Sequence, residues 1–164
     1  EQINEKINEL QKNAKDFQFT GNGKGIINYL REKTLNKIEN EINVTASSQS
    51  AGAPINVLLD NDKYVITSNI PNSSITLNFI NHRVILTSYT LKDGNKYIGI
   101  PKGWVIEGSN DFENWEVIDE RSDVHSIDEQ FKINQKNYKV FKSIRIRQTI
   151  ENWKGKGLIQ DTLS

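Results

Sequence analysis

The chain has 164 residues, with 21 Lys plus Arg against 21 Asp plus Glu and no cysteine. A domain of this size buries about two-thirds of the surface its unfolded chain exposes, enough for one core, and the missing cysteines exclude disulfides, thiol nucleophiles and cysteine-ligated metal centres. A formal charge of zero offers no broad basic face to a phosphate backbone, which argues against nucleic acid as a partner.

Ile3, Ile7, Leu10, Ala14 and Phe17 fall at alternating spacings of four and three, which predicts an amphipathic helix of about four turns with one sticky stripe. The opening Glu1-Gln2-Ile3-Asn4-Glu5-Lys6 lacks the apolar core of a signal peptide, although a chain that does not begin with methionine leaves a removed leader open. No apolar run approaches the roughly 20 residues of a membrane span. Gly21-Asn22-Gly23-Lys24-Gly25 breaks the helix, and Ile26, Ile27, Tyr29 and Leu30 predict a short second one over Lys24 to Lys33. The glycine cluster is not a phosphate loop, because Gln18 stands where the first glycine is needed and Gly25 where Ser or Thr should follow Lys24.

From Ile42 the period changes from helix to strand. Ile42 to Ala46 alternates as a first strand, and Ser47 to Pro54 is a loop of small residues. Ser74-Ile75-Thr76-Leu77-Asn78-Phe79 alternates cleanly, as a half-buried sandwich strand requires. Arg83 to Leu91 predicts another strand, and Lys92 to Tyr97 a loop with an Asp93-Gly94 turn. Trp104-Val105-Ile106-Glu107 and Trp115-Glu116-Val117-Ile118 then predict two strands around a Gly108-Ser109-Asn110-Asp111 turn, with both tryptophans in the core. Ser126 to Ile133 and Tyr138 to Phe141 are short apolar pieces, and Ile144 to Gln148 alternates again. About eight short strands at this spacing predict an all-β sandwich or barrel.

Pro101 to Asp111 with Asn114-Trp115 and Asp119-Glu120-Arg121 resembles the F5/8 type C (discoidin-like) domain, in which a W-V-I-x-G-S-N-D stretch is followed by N-W. Phe141 to Thr149 with Asn152-Trp153 is similar to that family's late strand and following loop, and the likeness runs from about Ile42 to Leu158. The resemblance implies an all-β, discoidin-like jelly roll of the galactose-binding-like superfamily over residues 42–164, preceded by a helical extension over 1–41. Two departures stand out: Ile75 occupies a place where many relatives have tryptophan, and Asn61 replaces glycine in the Asp60-Asn61-Asp62 turn. Relatives sometimes hold a structural calcium near that turn, and the carboxylates of Asp60 and Asp62 suit either a hard ion or an ordinary turn. Relatives also close the barrel with an apolar strand beside the first. Here Leu158 to Leu163 is either an abbreviated version, or an edge stays open as a pairing site for a partner.

His82 and His125 are the two histidines, and neither HExxH nor GxSxG spacing occurs, so the sequence supports no enzyme and reads both as solvated. In discoidin-like domains the ligand site lies among loops at one end of the barrel, and relatives bind galactose-type sugars, phospholipid headgroups or proteins. A sugar site needs an aromatic platform ringed by planar hydrogen-bonding groups. Trp153 with Asn152, in a polar glycine-containing loop, is the candidate platform; Tyr97 is a second aromatic and Arg147 a fork-shaped donor. The loops carry mostly Ser, Asn, Asp and Gly, which places a membrane below a glycan as partner.

The expectation is a non-enzymatic recognition module. A neutral, cysteine-free, Lys- and Asn-rich version with a helical lead-in looks like those of protist intracellular multidomain proteins. That likeness implies a cytoplasmic scaffold binding a protein through its loops, open edge or N-terminal helix, with carbohydrate binding of the galactose type as the alternative.

Overall fold

The computed structural model describes residues 2–5, 25–48, 51–59, 65–68, 70–91, 101–126, 129–150 and 159–160. The alternating Ser74–Phe79 stretch forms a strand with partners on both sides, the second strand of a five-stranded antiparallel sheet. In chain order the helices are α1 (residues 2–5) and α2 (Gly25–Lys33). The strands are β1 (Ile42–Ala46), β2 (Ala51–Gly52), β3 (Val65–Ile66), β4 (Ser74–Phe79), β5 (Ser88–Thr90), β6 (Trp104–Ser109), β7 (Glu116–Arg121), β8 (Gln130–Lys132), β9 (Ser143–Gln148) and β10 (Ile159–Gln160). The large sheet runs β1-β4-β9-β6-β7; β5 pairs with β8, and β10, β3 and β2 form a third small sheet.

Register explains the core. Ile75, Leu77 and Phe79 lie opposite Ala46, Val44 and Ile42 on one side, and Ile75 and Leu77 lie opposite Ile146 and Ile144 on the other. Ile106 pairs with Ile146 in turn, so one face of the sheet is continuously apolar. Ile42, Ile75, Ile146 and Trp104 are fully buried there, each aliphatic contributing about 1.5–3 kcal/mol. Ile75, at a place where the resemblance implies tryptophan, is itself fully buried.

The helical lead-in joins this core. Ile27 and Leu30 of α2 and Ile38 of the following 3-10 turn belong to the same buried cluster, and the Arg31 Nε donates to the Leu58 carbonyl at 2.9 Å. Leu35 and Asn36 take left-handed conformations, and Asn36 N–H reaches back to the Arg31 carbonyl at 2.9 Å, ending the helix.

Several expectations need correction. Between Arg83 and Leu91 only Ser88–Thr90 is a regular strand, because Val84 makes a lone bridge to Phe141 before the chain leaves to pair with β8. Gly108 and Ser109 belong to β6, not to the turn. A Cβ on Gly108 would lie 2.4 Å from the Phe141 ring, so the glycine serves close approach. Trp115 is half-buried on the outer face, whereas Trp104 is fully buried. Nor is His82 simply solvated: it is partly buried, with Nε2 3.2 Å from Glu41.

Candidate ligand-binding site

The antiparallel order brings the C-terminal ends of β1, β7 and β9 and the N-terminal ends of β4 and β6 to one end of the sheet. Trp104 and Gln148 are register partners there, so the segments entering β6 and leaving β9 start side by side. Gly103 permits this: a Cβ would sit 2.9 Å from Thr149 Oγ1 and 3.1 Å from Ile150 side-chain carbons, and Thr149 N–H donates to the Gly103 carbonyl at 3.1 Å.

Serines tie the neighbouring loops together. Ser74 N–H donates to Ser47 Oγ at 2.8 Å, Ser68 N–H to Ser48 Oγ at 3.0 Å, and Ser73 Oγ to the Ser68 carbonyl at 2.7 Å. Asn72, in a left-handed conformation it tolerates, donates its N–H to the Gln148 carbonyl at 2.7 Å. These bonds fix the loop end to the sheet, which is what a preorganised binding surface needs.

Beneath lies a polar relay that the sequence does not reveal. Trp104 Nε1 donates to Tyr89 Oη at 2.8 Å, Tyr89 Oη donates to Asp119 Oδ2 at 2.6 Å, and Arg121 Nε donates to the same oxygen at 2.9 Å. Phe131 stacks on Tyr89 and meets Trp104 edge-on, both at 5.3 Å. A bulge between Ile106 and Glu107 makes this possible, letting Ile118 enter the core while Asp119 turns toward Tyr89. Burial, reinforced by the Asp119 carboxylate, pushes the Tyr89 phenol well above its ordinary pKa, so it stays a donor.

Arg147 stands on the outer face of β9. Its Nε donates to Glu107 Oε1 at 3.0 Å and its Nη1 to Asn72 Oδ1 at 2.8 Å, while Arg145 Nε donates to Glu107 Oε2 at 2.7 Å. Burial alone would raise the Glu107 pKa, but the bonds from Arg147 and Arg145 outweigh it and hold the carboxyl below its usual range. Arg147 therefore pins the Asn72 loop to the sheet with most of its fork. Arg145 also stacks on Trp115, its guanidinium carbon 3.9 Å from the ring centroid.

Tyr97, Asn152 and Trp153 lie outside the described residues, as do Asp60 and Asp62 of the calcium turn. The strands do bring Pro101 to Gly103 and Thr149 to Ile150, the described residues that flank the Tyr97 and Trp153 segments, to the same end of the sheet as Arg147. Among the described residues no three His, Cys, Asp or Glu side chains cluster as a metal site. His82 lies near the start of β1 and His125 beyond the end of β7, at opposite ends of the sheet. No helix among the described residues is long and apolar enough to cross a membrane.

No protein-family model matches the chain, and no curated protein does. Solved structures do. A family 32 carbohydrate-binding module from Clostridium perfringens, in complex with GalNAc-β-1,3-galactose, matches at 16% identity and TM-score 0.62 over 76% of this chain and 94% of that one. A second C. perfringens family 32 module, in complex with galactose, matches at 14% identity and TM-score 0.62 over 76% and 93%. A chitosan-binding module from a Paenibacillus chitosanase/glucanase, in complex with chitotriose, matches at 12% identity and TM-score 0.62 over 76% and 95%. The protein thus has the discoidin-like, galactose-binding-like β-sandwich fold that its Trp104 to Trp115 and Phe141 to Thr149 motifs imply.

Proposed function

We propose that the protein is a non-catalytic carbohydrate-binding module whose ligand seats on the loop end of the sandwich. The observation that carries this reading is the fold it shares with modules solved in complex with galactose, GalNAc-β-1,3-galactose and chitotriose. That observation favours the glycan over the protein scaffold that the likeness to intracellular multidomain proteins implies. The loop end adds the physical support: hydroxyl-rich loops cross-braced by Ser47, Ser48 and Ser73, and pinned by Asn72 and Arg147. In this reading Trp153 supplies the stacking platform and Asn152 and Tyr97 are further ligand contacts, while Arg147 holds the Asn72 loop to the sheet.

A glycan-array screen of the full chain with Trp153→Ala as paired control tests the ligand class and the platform together. Selective binding that the substitution abolishes supports the assignment. Binding that survives moves the platform to another aromatic, and a blank array from a folded sample returns the search to protein partners.

A further inference from the structure

The tip of the β6–β7 hairpin carries an aromatic residue where the backbone favours a different one. Phe112 adopts φ 63°, a left-handed conformation that is a steric outlier for a bulky side chain. The surrounding turn enforces it. Asp111 Oδ1 accepts from Glu113 N–H at 2.9 Å and Asn114 N–H at 2.8 Å, and Ser109 Oγ accepts from Phe112 N–H at 3.0 Å. Those bonds need nothing from the Phe112 side chain, which is 52% exposed. Glycine or asparagine meets the backbone requirement at lower steric cost.

The ring is nonetheless held in place. Phe112 meets Trp115 edge-to-face at 6.1 Å, Trp115 Nε1 donates to the Phe112 carbonyl at 3.3 Å, and Arg145, itself anchored on Glu107, lies against the Trp115 ring. A fixed exposed aromatic face flanked by the exposed polar residues Glu113 and Asn114 is the chemistry that receives the C–H face of a pyranose. Its size argues the same way. Phe112 and Val117, each 52% exposed, with half-buried Trp115 offer three apolar side chains, against the roughly 20–30 residues a side of a stable protein interface.

We propose that Phe112, braced by Trp115, is a second pyranose-stacking platform, at the opposite end of the sheet from the loop site. The inference rests on the carbohydrate reading but on separate residues, so the two fail separately.

The test follows the indole N–H resonances of Trp115 and Trp153 by NMR in the full chain during titration with chitotriose and with methyl β-galactoside. The proposal predicts a saturable Trp115 shift with at least one sugar, abolished by Phe112→Asn and retained in Trp153→Ala. Phe112→Asn is also expected to keep or raise the melting temperature, since asparagine tolerates the left-handed backbone. A stationary Trp115 signal while Trp153 responds overturns this platform and leaves the loop site standing; if both stay still, both readings fail for these sugars. A melting temperature lowered by more than about 5 °C in Phe112→Asn makes the ring a packing residue and overturns the proposal.

Discussion

Replacing Glu107 by glutamine should weaken the fold and alter its response to acid. The Glu107 side chain is 5% exposed and sits between two guanidinium groups, Arg145 Nε at 2.7 Å and Arg147 Nε at 3.0 Å. Glutamine removes the charge that balances them and presents an N–H₂ group to a donor. Removing one partner of a fully buried pair costs about 3–5 kcal/mol, but the arginine side chains are 24% and 28% exposed and retain access to water. We therefore expect a loss of about 2 kcal/mol at neutral pH, or a melting temperature lower by about 4–8 °C for a domain of this size. The pH dependence follows from the lowered folded-state pKa of Glu107, against an ordinary value of 4.5. Its stabilisation is fully present above 4.5 and is lost as pH falls through the folded value, so the gap between native and Glu107→Gln proteins should close with acid. Calorimetric melts of both proteins from pH 7 to pH 3 provide the assay. Melting temperatures within 1 °C of each other at pH 7, or a gap that does not change with pH, would show that the Glu107 charge does not stabilise the fold.

Other perturbations test other parts of the frame. Leu30→Ala empties a fully buried site between α2 and the sandwich and should cost about 2–5 kcal/mol, read as a lower urea midpoint. Tyr89→Phe leaves Trp104 Nε1 without its acceptor in the core and should cost about 1–3 kcal/mol, measured by urea unfolding monitored through tryptophan fluorescence. Gly108→Ala drives a methyl group into the Phe141 ring and should lower the melting temperature by at least several degrees, more than the same change at an exposed strand position.

Sequence and structure agree where a signal is local. The alternation of Ser74 to Phe79 specifies its strand residue for residue because Ile75, Leu77 and Phe79 fill the core face, although Ser74 and Thr76 are buried as well. Ile144 to Gln148 reads correctly because Ile144 and Ile146 face the core while Arg145 and Arg147 stay partly exposed. Trp104 is core as its strand suggests, but Trp115 has identical composition around it and lies half-exposed. Its place is set by Arg145, thirty positions away, which the sequence gives no way to pair with it. Glu107 is the clearest loss: nothing within Trp-Val-Ile-Glu marks it as the residue that two arginines from β9 bury. The recurring arginines at 145 and 147 are a signal only once β9 is known to neighbour β6. The Tyr89 relay is hidden likewise, since it needs the bulge that redirects Asp119. The loop end is legible in its topology, whereas Arg147, which the sequence offers as a candidate fork-shaped donor, has most of its fork engaged with Glu107 and Asn72.

Sugar binding by this sandwich is open to direct measurement. Isothermal titration of the full chain with galactose, GalNAc-β-1,3-galactose and chitotriose measures it most directly. Saturable binding of at least one is expected, with a Kd of about 1 mM or tighter, weakened at least tenfold by Trp153→Ala. No heat of binding with any of the three, from a sample whose cooperative melt shows it folded, would contradict it.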